Sequence, residues 1–254
     1  GAASMASTKL EFAVRMPCPQ KAAQIKEVLK NAPGINSVGV DVGVECVVVD
    51  TTLPSHNVLS LIESTGHKAA LMGMGAKEGK HLGAAVSQIA GSGAVGVTRL
   101  VQLEDNKCLI EGTIDGLSAG QYSLNIHELG DLSSGCDSCG DILDFEGHFK
   151  GKKYGELATI DANDTGRASF RMETDRIKVW DIIGRSMVVH AVAGLQSNRI
   201  ACGIIARSAG VFENAKRICA CDGVTVWDER NVPAAGQARQ NNYAQKSTAP
   251  ASQL

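Results

Sequence analysis

The chain has 254 residues and is 44% hydrophobic, enough to bury a core in one large domain or two ordinary ones. A formal net charge of −2 leaves no global electrostatic case for nucleic acid or an anionic membrane surface, and no run approaches the roughly eighteen apolar residues of a membrane span. Only 4% of residues are aromatic while 28 are glycine, which tilts the expectation towards turn-rich β structure.

Gly1–Ser4 precede Met5 and read as an expression scar, so residues 1–7 are set apart from the fold. Nothing after Met5 has the basic-then-apolar order of a secretory signal, and a cytoplasmic location is expected. There the eight cysteines stay reduced unless they do metal or redox work. Leu10, Phe12, Val14 and Met16 alternate with Glu11, Ala13 and Arg15 as in a half-buried strand. The loop Pro17-Cys18-Pro19 leads to a helix over Gln20–Lys30, with Ala22, Ile25, Val28 and Leu29 at helical spacing and Pro33-Gly34 as its stop. Two strands, near Ile35–Val42 and Val44–Thr51, join at Gly43; a second helix starts at Pro54-Ser55 and stops at Gly66; a last strand covers His67–Met72. The order βαββαβ predicts a ferredoxin-like unit over residues 8–73.

Glycine and charge without a period predict a linker over 74–81. Residues 82–206 then carry short strands near Ala84–Ile89, Val95–Leu103, Cys108–Ile114, Gln121–His127, Ala158–Asp161, Ala168–Met172, Ser186–His190 and Ile200–Ala206. This is the pattern of an antiparallel Greek-key barrel or sandwich. Cys46 and Cys108 sit among strand formers and read as buried thiols. Residues 207–254 form a polar tail, its last twenty or so predicted to be disordered.

The tail holds Cys219-Ala220-Cys221. Cysteines two apart in an extended segment face the same side, so both sulfurs reach one soft ion such as Cu(I) or one incoming disulfide. Closed on each other, their Cα atoms would sit near the ~7 Å limit for a disulfide, and such a bond is more oxidising. Two unrelated surface cysteines are the plain alternative.

Family-specific segments then appear in order. Gly112–Leu117, Ile126–Asp131, Ile182–His190 and Arg199–Gly203 resemble copper/zinc superoxide dismutase. With the ferredoxin-like unit before them and Ala206–Gly210 through Cys219–Gly223 after them, the chain resembles the copper chaperones for superoxide dismutase, insect members most. The resemblance implies a metallochaperone, with no dismutase activity of its own, that docks on immature copper/zinc superoxide dismutase as a heterodimer. It implies a docking face including Gly130, Asp131, Ile204 and Ile205, the same face being able to form a homodimer. It further implies that Cys219 and Cys221 promote the client's disulfide and hold Cu(I), and that Cys136 and Cys202 form an intrasubunit disulfide, with a Cys136–Cys139 pairing as the competing reading.

The departures from the family pattern matter equally. Met16-Pro17-Cys18-Pro19-Gln20-Lys21 keeps one copper thiol, Cys18, and puts Lys21 in the place of the other, a poor Cu(I) site. His127 and His190 match copper-ligand histidines, but Asn125 and Ile142 stand where two others belong, so the pair is a residual site. In the zinc loop Lys153 and Glu156 replace ligands and His148 is a remnant, so zinc is not expected. Copper sequestration without a client is the alternative function. The missing ligands argue against a dismutase.

Overall fold

Residues 5–76, 81–145, 151–192 and 198–211 are described by a computed structural model. The first unit is the βαββαβ arrangement of the sequence reading: β1 (Thr8–Val14), α1 (Pro19–Lys30), β2 (Ile35–Asp41), β3 (Cys46–Thr51), α2 (Ser55–Glu63) and β4 (Ala69–Ala76). Its antiparallel sheet has the order β2-β3-β1-β4. Pro19 opens α1, where its missing N–H costs nothing. Ala22, Ile25 and Leu29 put one helical face into the core with Leu10, Phe12 and Val14.

Two boundaries differ from the sequence reading, each for a local reason. The strand expected from Val44 starts at Cys46, because the Asp41 carboxylate accepts from the N–H groups of Gly43 (2.9 Å) and Val44 (3.3 Å) and closes a turn there. The strand expected over 67–72 begins at Ala69 and runs on to Ala76. Leu10, Lys9 and Thr8 pair with Met74, Gly75 and Ala76 past a bulge opposite Glu11 and Phe12, so the expected linker from residue 74 begins inside β4. The glycine content that reads as a linker belongs to a strand with a close neighbour. Nor is β1 half-buried: Glu11 and Ala13 are as hidden as Leu10 and Phe12. The core of this unit continues into Ala84, Val101 and Leu109 of the second unit.

The second unit contains β5 (Ala84–Gly91), β6 (Ala94–Glu104), β7 (Lys107–Asp115), β8 (Gly120–His127), β9 (Ser133–Cys136), β10 (Glu156–Ala162), β11 (Ala168–Thr174), α3 (Val179–Ile182), β12 (Ser186–Ala191) and β13 (Arg199–Arg207). All but β9 and α3 form a closed barrel in the order β10-β11-β7-β6-β5-β13-β12-β8, and these are the eight strands expected. The connections from β7 to β8 and from β11 to β12 pass over neighbours, as a Greek key requires. Leu100, Ile110, Ile114, Leu124, Ile126 and Val189 fill the interior. Among the described residues no helix is long and apolar enough to cross a membrane.

A polar seam joins the two units. Register places Arg99 of β6 and Arg171 of β11 opposite Glu111 of β7, giving a row of opposite charges across three strands. The buried Glu111 carboxylate also accepts from the Ser55 backbone N–H (3.1 Å) and makes a short bond with the Ser55 hydroxyl, so a barrel side chain caps the start of α2. Burial pushes the Glu111 carboxyl up, against the opposing pull of Ser55 and the two guanidinium groups. His56 adds a bond to the Ser169 hydroxyl (2.9 Å).

Candidate metal and thiol sites

Cys18 lies at the N-terminal end of α1, partly exposed. Its carbonyl accepts from the Lys21 and Ala22 N–H groups (3.2 and 3.3 Å). Met16 is buried, and its N–H is tied to the Glu45 carboxylate at 3.1 Å. No second thiol stands in this loop, and the next turn of helix brings Lys21 instead.

The two histidines do come together. His127 ends β8 and His190 lies near the end of β12. With Leu124, Ile126 and Val189 turned into the barrel core, strand alternation sets both rings on the other face of the β8–β12 pair, beneath the loop that carries Gly140, with Nε2 to Nε2 at 2.8 Å. Nδ1 of His127 faces the Gly140 carbonyl at 2.9 Å and donates to it, leaving Nε2 of His127 as the acceptor of a proton carried by His190. Burial, partly offset by the Gly140 bond, holds the His127 pKa below its ordinary value. Two imidazole nitrogens at ~2.0–2.1 Å from a tetrahedral ion lie about 3.3 Å apart; this pair is closed on itself instead. Asn125 donates to the Ser123 hydroxyl (3.0 Å), Ile142 bridges to His127 by backbone, and Glu156 accepts from the Lys153 N–H (3.2 Å). Among the described residues no three metal-ligating side chains cluster. The donor set does not fit a redox copper or zinc centre here. His148 lies outside the described residues.

Cys136 and Cys202 are joined in a disulfide with Cα atoms 5.7 Å apart, tying the loop after β8 to β13. Cys139 is a free, fully buried thiol packed with Val188 beside that bond. Arg199, to which the sequence reading assigned no role, is the second fastener of the loop. Its guanidinium donates to the carbonyls of Cys136 (2.8 Å) and Gly140 (2.7 Å), the latter the same carbonyl that orients His127. An arginine three residues before the last-strand cysteine was its sequence signal.

The expected docking residues divide by exposure. Gly130 is pressed against the Gly184 carbonyl, which a Cβ would approach to 2.1 Å, and Gly184 donates to the Ile205 carbonyl (2.8 Å). The loop at 130 and the end of β13 thus form one surface. Asp131 is exposed on it, its carboxylate accepting from Ser133 and held by that bond below its usual range. Ile204 is 43% exposed, with Leu129 at 48% and Leu132 at 38%. Ile205 corrects the expectation: strand alternation turns its side chain into the barrel core, where it is wholly buried, so only its backbone belongs to this face.

Among the described residues the cysteines outside the disulfide are Cys18, Cys46, Cys108 and Cys139, and of these Cys18 is partly exposed and the others are buried. Burial pushes the Cys108 thiol up to about 12, which leaves it inert. Cys219 and Cys221 lie outside the described residues.

Residues 94–205 match the family model of copper/zinc superoxide dismutase (SODC). Over nearly its whole length the chain is 46% identical to the copper chaperone for superoxide dismutase of Rattus norvegicus, covering 92% of this chain and 93% of the relative. The Homo sapiens protein of the same name is 43% identical at the same coverage. The superoxide dismutase 1 copper chaperone of Saccharomyces cerevisiae is 31% identical over 86% of this chain and 92% of its own.

Proposed function

Since the chain belongs to the copper chaperones for superoxide dismutase, we propose that it docks through its barrel on an immature copper/zinc superoxide dismutase subunit and acts on that client with Cys219 and Cys221. The observation that carries this reading is the state of the other thiols. Cys136 and Cys202 are consumed in a disulfide, Cys46, Cys108 and Cys139 are buried, and Cys18 stands without a second thiol in its loop. A pair of thiols able to meet a client is left to the tail.

With the tail pair oxidised, a client thiolate attacks one tail sulfur; the Cys219–Cys221 bond breaks and a mixed disulfide forms. The second client thiolate then attacks the client sulfur of that bond. The client disulfide closes, the tail leaves as a dithiol, and two electrons have passed from client to tail. The protons lost by the client thiols are taken up by the departing tail thiolates. A two-electron oxidant of the dioxygen class resets the tail. In its reduced form the same pair offers two soft ligands to Cu(I), the cargo; neighbouring Lys216 and Arg217 favour the Cys219 thiolate, while Asp222 opposes it.

The exposed apolar residues Leu129, Leu132 and Ile204, around the Gly130–Gly184 contact, support docking of a dismutase subunit as a heterodimer. The residual histidine pair takes no part. The test is maturation of the partner dismutase by chains carrying Cys219→Ser with Cys221→Ser, and separately Cys18→Ser. The tail variant is expected to abolish disulfide formation in the client and the Cys18 variant to retain it; the reverse pattern would reject the reading.

A further inference from the structure

The first unit has lost a copper thiol, yet it is fastened to the barrel, and the structure offers it another task. Beyond β13 the chain does not leave the surface at once. Ser208 donates to the Ala84 carbonyl (2.9 Å), and the Ala209 carbonyl accepts from the Met74 N–H (3.2 Å) on β4, an edge strand of the first sheet. Here the glycines of β4 become intelligible. Neither Gly73 nor Gly75 has a positive φ, so backbone conformation does not require glycine at either position. Space does: a Cβ on Gly73 would lie 2.2 Å from the Gly210 oxygen and 3.1 Å from Val211 Cα, and one on Gly75 would touch the Val211 side chain at 3.6 Å. Gly210 in turn lies against the His81 ring, where a Cβ would come within 2.7 Å of Nδ1. A glycine inside a strand marks the close approach of another backbone, and that backbone is the start of the tail.

We propose that the edge of β4 at Gly73–Gly75 anchors residues 208–211 and fixes the origin from which Cys219 and Cys221 act on the docked client. This rests on the thiol-exchange reading of the tail. From Val211, Cys219 is eight residues away and Cys221 ten, which bounds their reach at about 29 and 36 Å. Freed back to Arg207, where β13 ends, the same cysteines hang on arms of twelve and fourteen residues. Effective concentration falls roughly as the −3/2 power of arm length, so release lowers it about twofold through length alone and further by loss of direction. Gly73 and Gly75 are positioning residues. The first unit serves the tail as a platform in a chain whose own copper loop is incomplete.

The test uses the full chain with Gly73→Ala, which adds only the clashing Cβ, and with Val211→Asp, which lies outside both folded units and leaves their packing alone. Hydrogen exchange at the Met74 amide reads the anchor, and mixed-disulfide formation with reduced client reads its consequence. In both variants Met74 exchange is expected to rise at least tenfold. The rate at saturating client should fall about twofold or more, while the half-saturating client concentration and the reaction of the oxidised tail with a small aromatic thiol stay at their original values. Unchanged Met74 exchange in both variants overturns the anchor, and faster exchange with an unchanged saturating rate overturns its role. The Cys219→Ser, Cys221→Ser chain separates this from the reading beneath it: if that chain oxidises the client at full rate, the exchange reading fails whatever the Met74 amide does.

Discussion

With Nδ1 of His127 engaged by the Gly140 carbonyl, the proton between the two imidazoles comes from His190, and a further proton would charge a ring buried beside the Arg199 guanidinium. The folded-state pKa of His127 therefore lies below the unfolded value of about 6.5. The sign follows: above about pH 6.5 neither state binds this proton and nothing is lost, whereas below it the unfolded chain takes up a proton that the folded chain refuses, and stability falls. His56, also lowered by burial and by Arg167, contributes in the same direction and window. Denaturant unfolding between pH 7.5 and 5.5 should show His127→Gln flattening the fall by up to one proton, at most about 1.4 kcal/mol per pH unit. An identical slope in both chains would mean that His127 protonates freely. Beside it, the Cys136–Cys202 bond spans a sequence separation of 66, for which chain entropy gives about 4 kcal/mol; Cys202→Ser should lower stability by that order in urea. Only part of this was legible in the sequence. Asn125 and Ile142 revealed the broken ligand set, but no spacing could show that the surviving histidines bond to each other, and Ile205 was indistinguishable from Ile204 until strand phase was known.

At the level of elements, hydrophobic alternation identified all eight barrel strands, because each has one face in the core and its turns carry glycine or Asn-Asp pairs. It failed where a strand obeys a neighbour. β4 continues through Gly73-Met74-Gly75 because β1 pairs with it on one edge and Ala209 on the other, a cause more than a hundred residues away in the chain. β9 and α3, of four residues each, are too short to show a period. The capping of α2 by Glu111 is likewise invisible locally, since Pro54-Ser55 looked self-sufficient as a helix start. Glu111→Ala removes the acceptor for Ser55 and leaves Arg99 and Arg171 facing each other unneutralised, a loss of about 3–5 kcal/mol for a broken buried pair. Calorimetry should then show the first unit melting apart from and below the barrel. Glu111→Gln keeps an oxygen for Ser55 and should lose less. A single unshifted transition in Glu111→Ala would show that the seam contributes nothing.

For the whole molecule, the order of domains and the remnants of a metalloenzyme were readable because they are spelled in contiguous segments, while the mutual placement of units was not. That placement leaves an apolar face at Leu129, Leu132 and Ile204 on the barrel and starts the tail from the first unit's edge. Ile204→Glu puts a charge on that face without touching the core. It is expected to weaken heterodimer formation with the partner dismutase by about 2 kcal/mol, some thirtyfold in Kd, with the melting temperature held. Unchanged Kd would move the docking surface elsewhere. The most direct measurement mixes the chain, its tail pair oxidised, with reduced dismutase, quenches the thiols during turnover and maps the trapped inter-protein disulfide by peptide mass. The bond is expected at Cys219 or Cys221, with Cys136–Cys202 still closed. An inter-protein bond at Cys18, Cys136 or Cys202 in its place would contradict the tail mechanism.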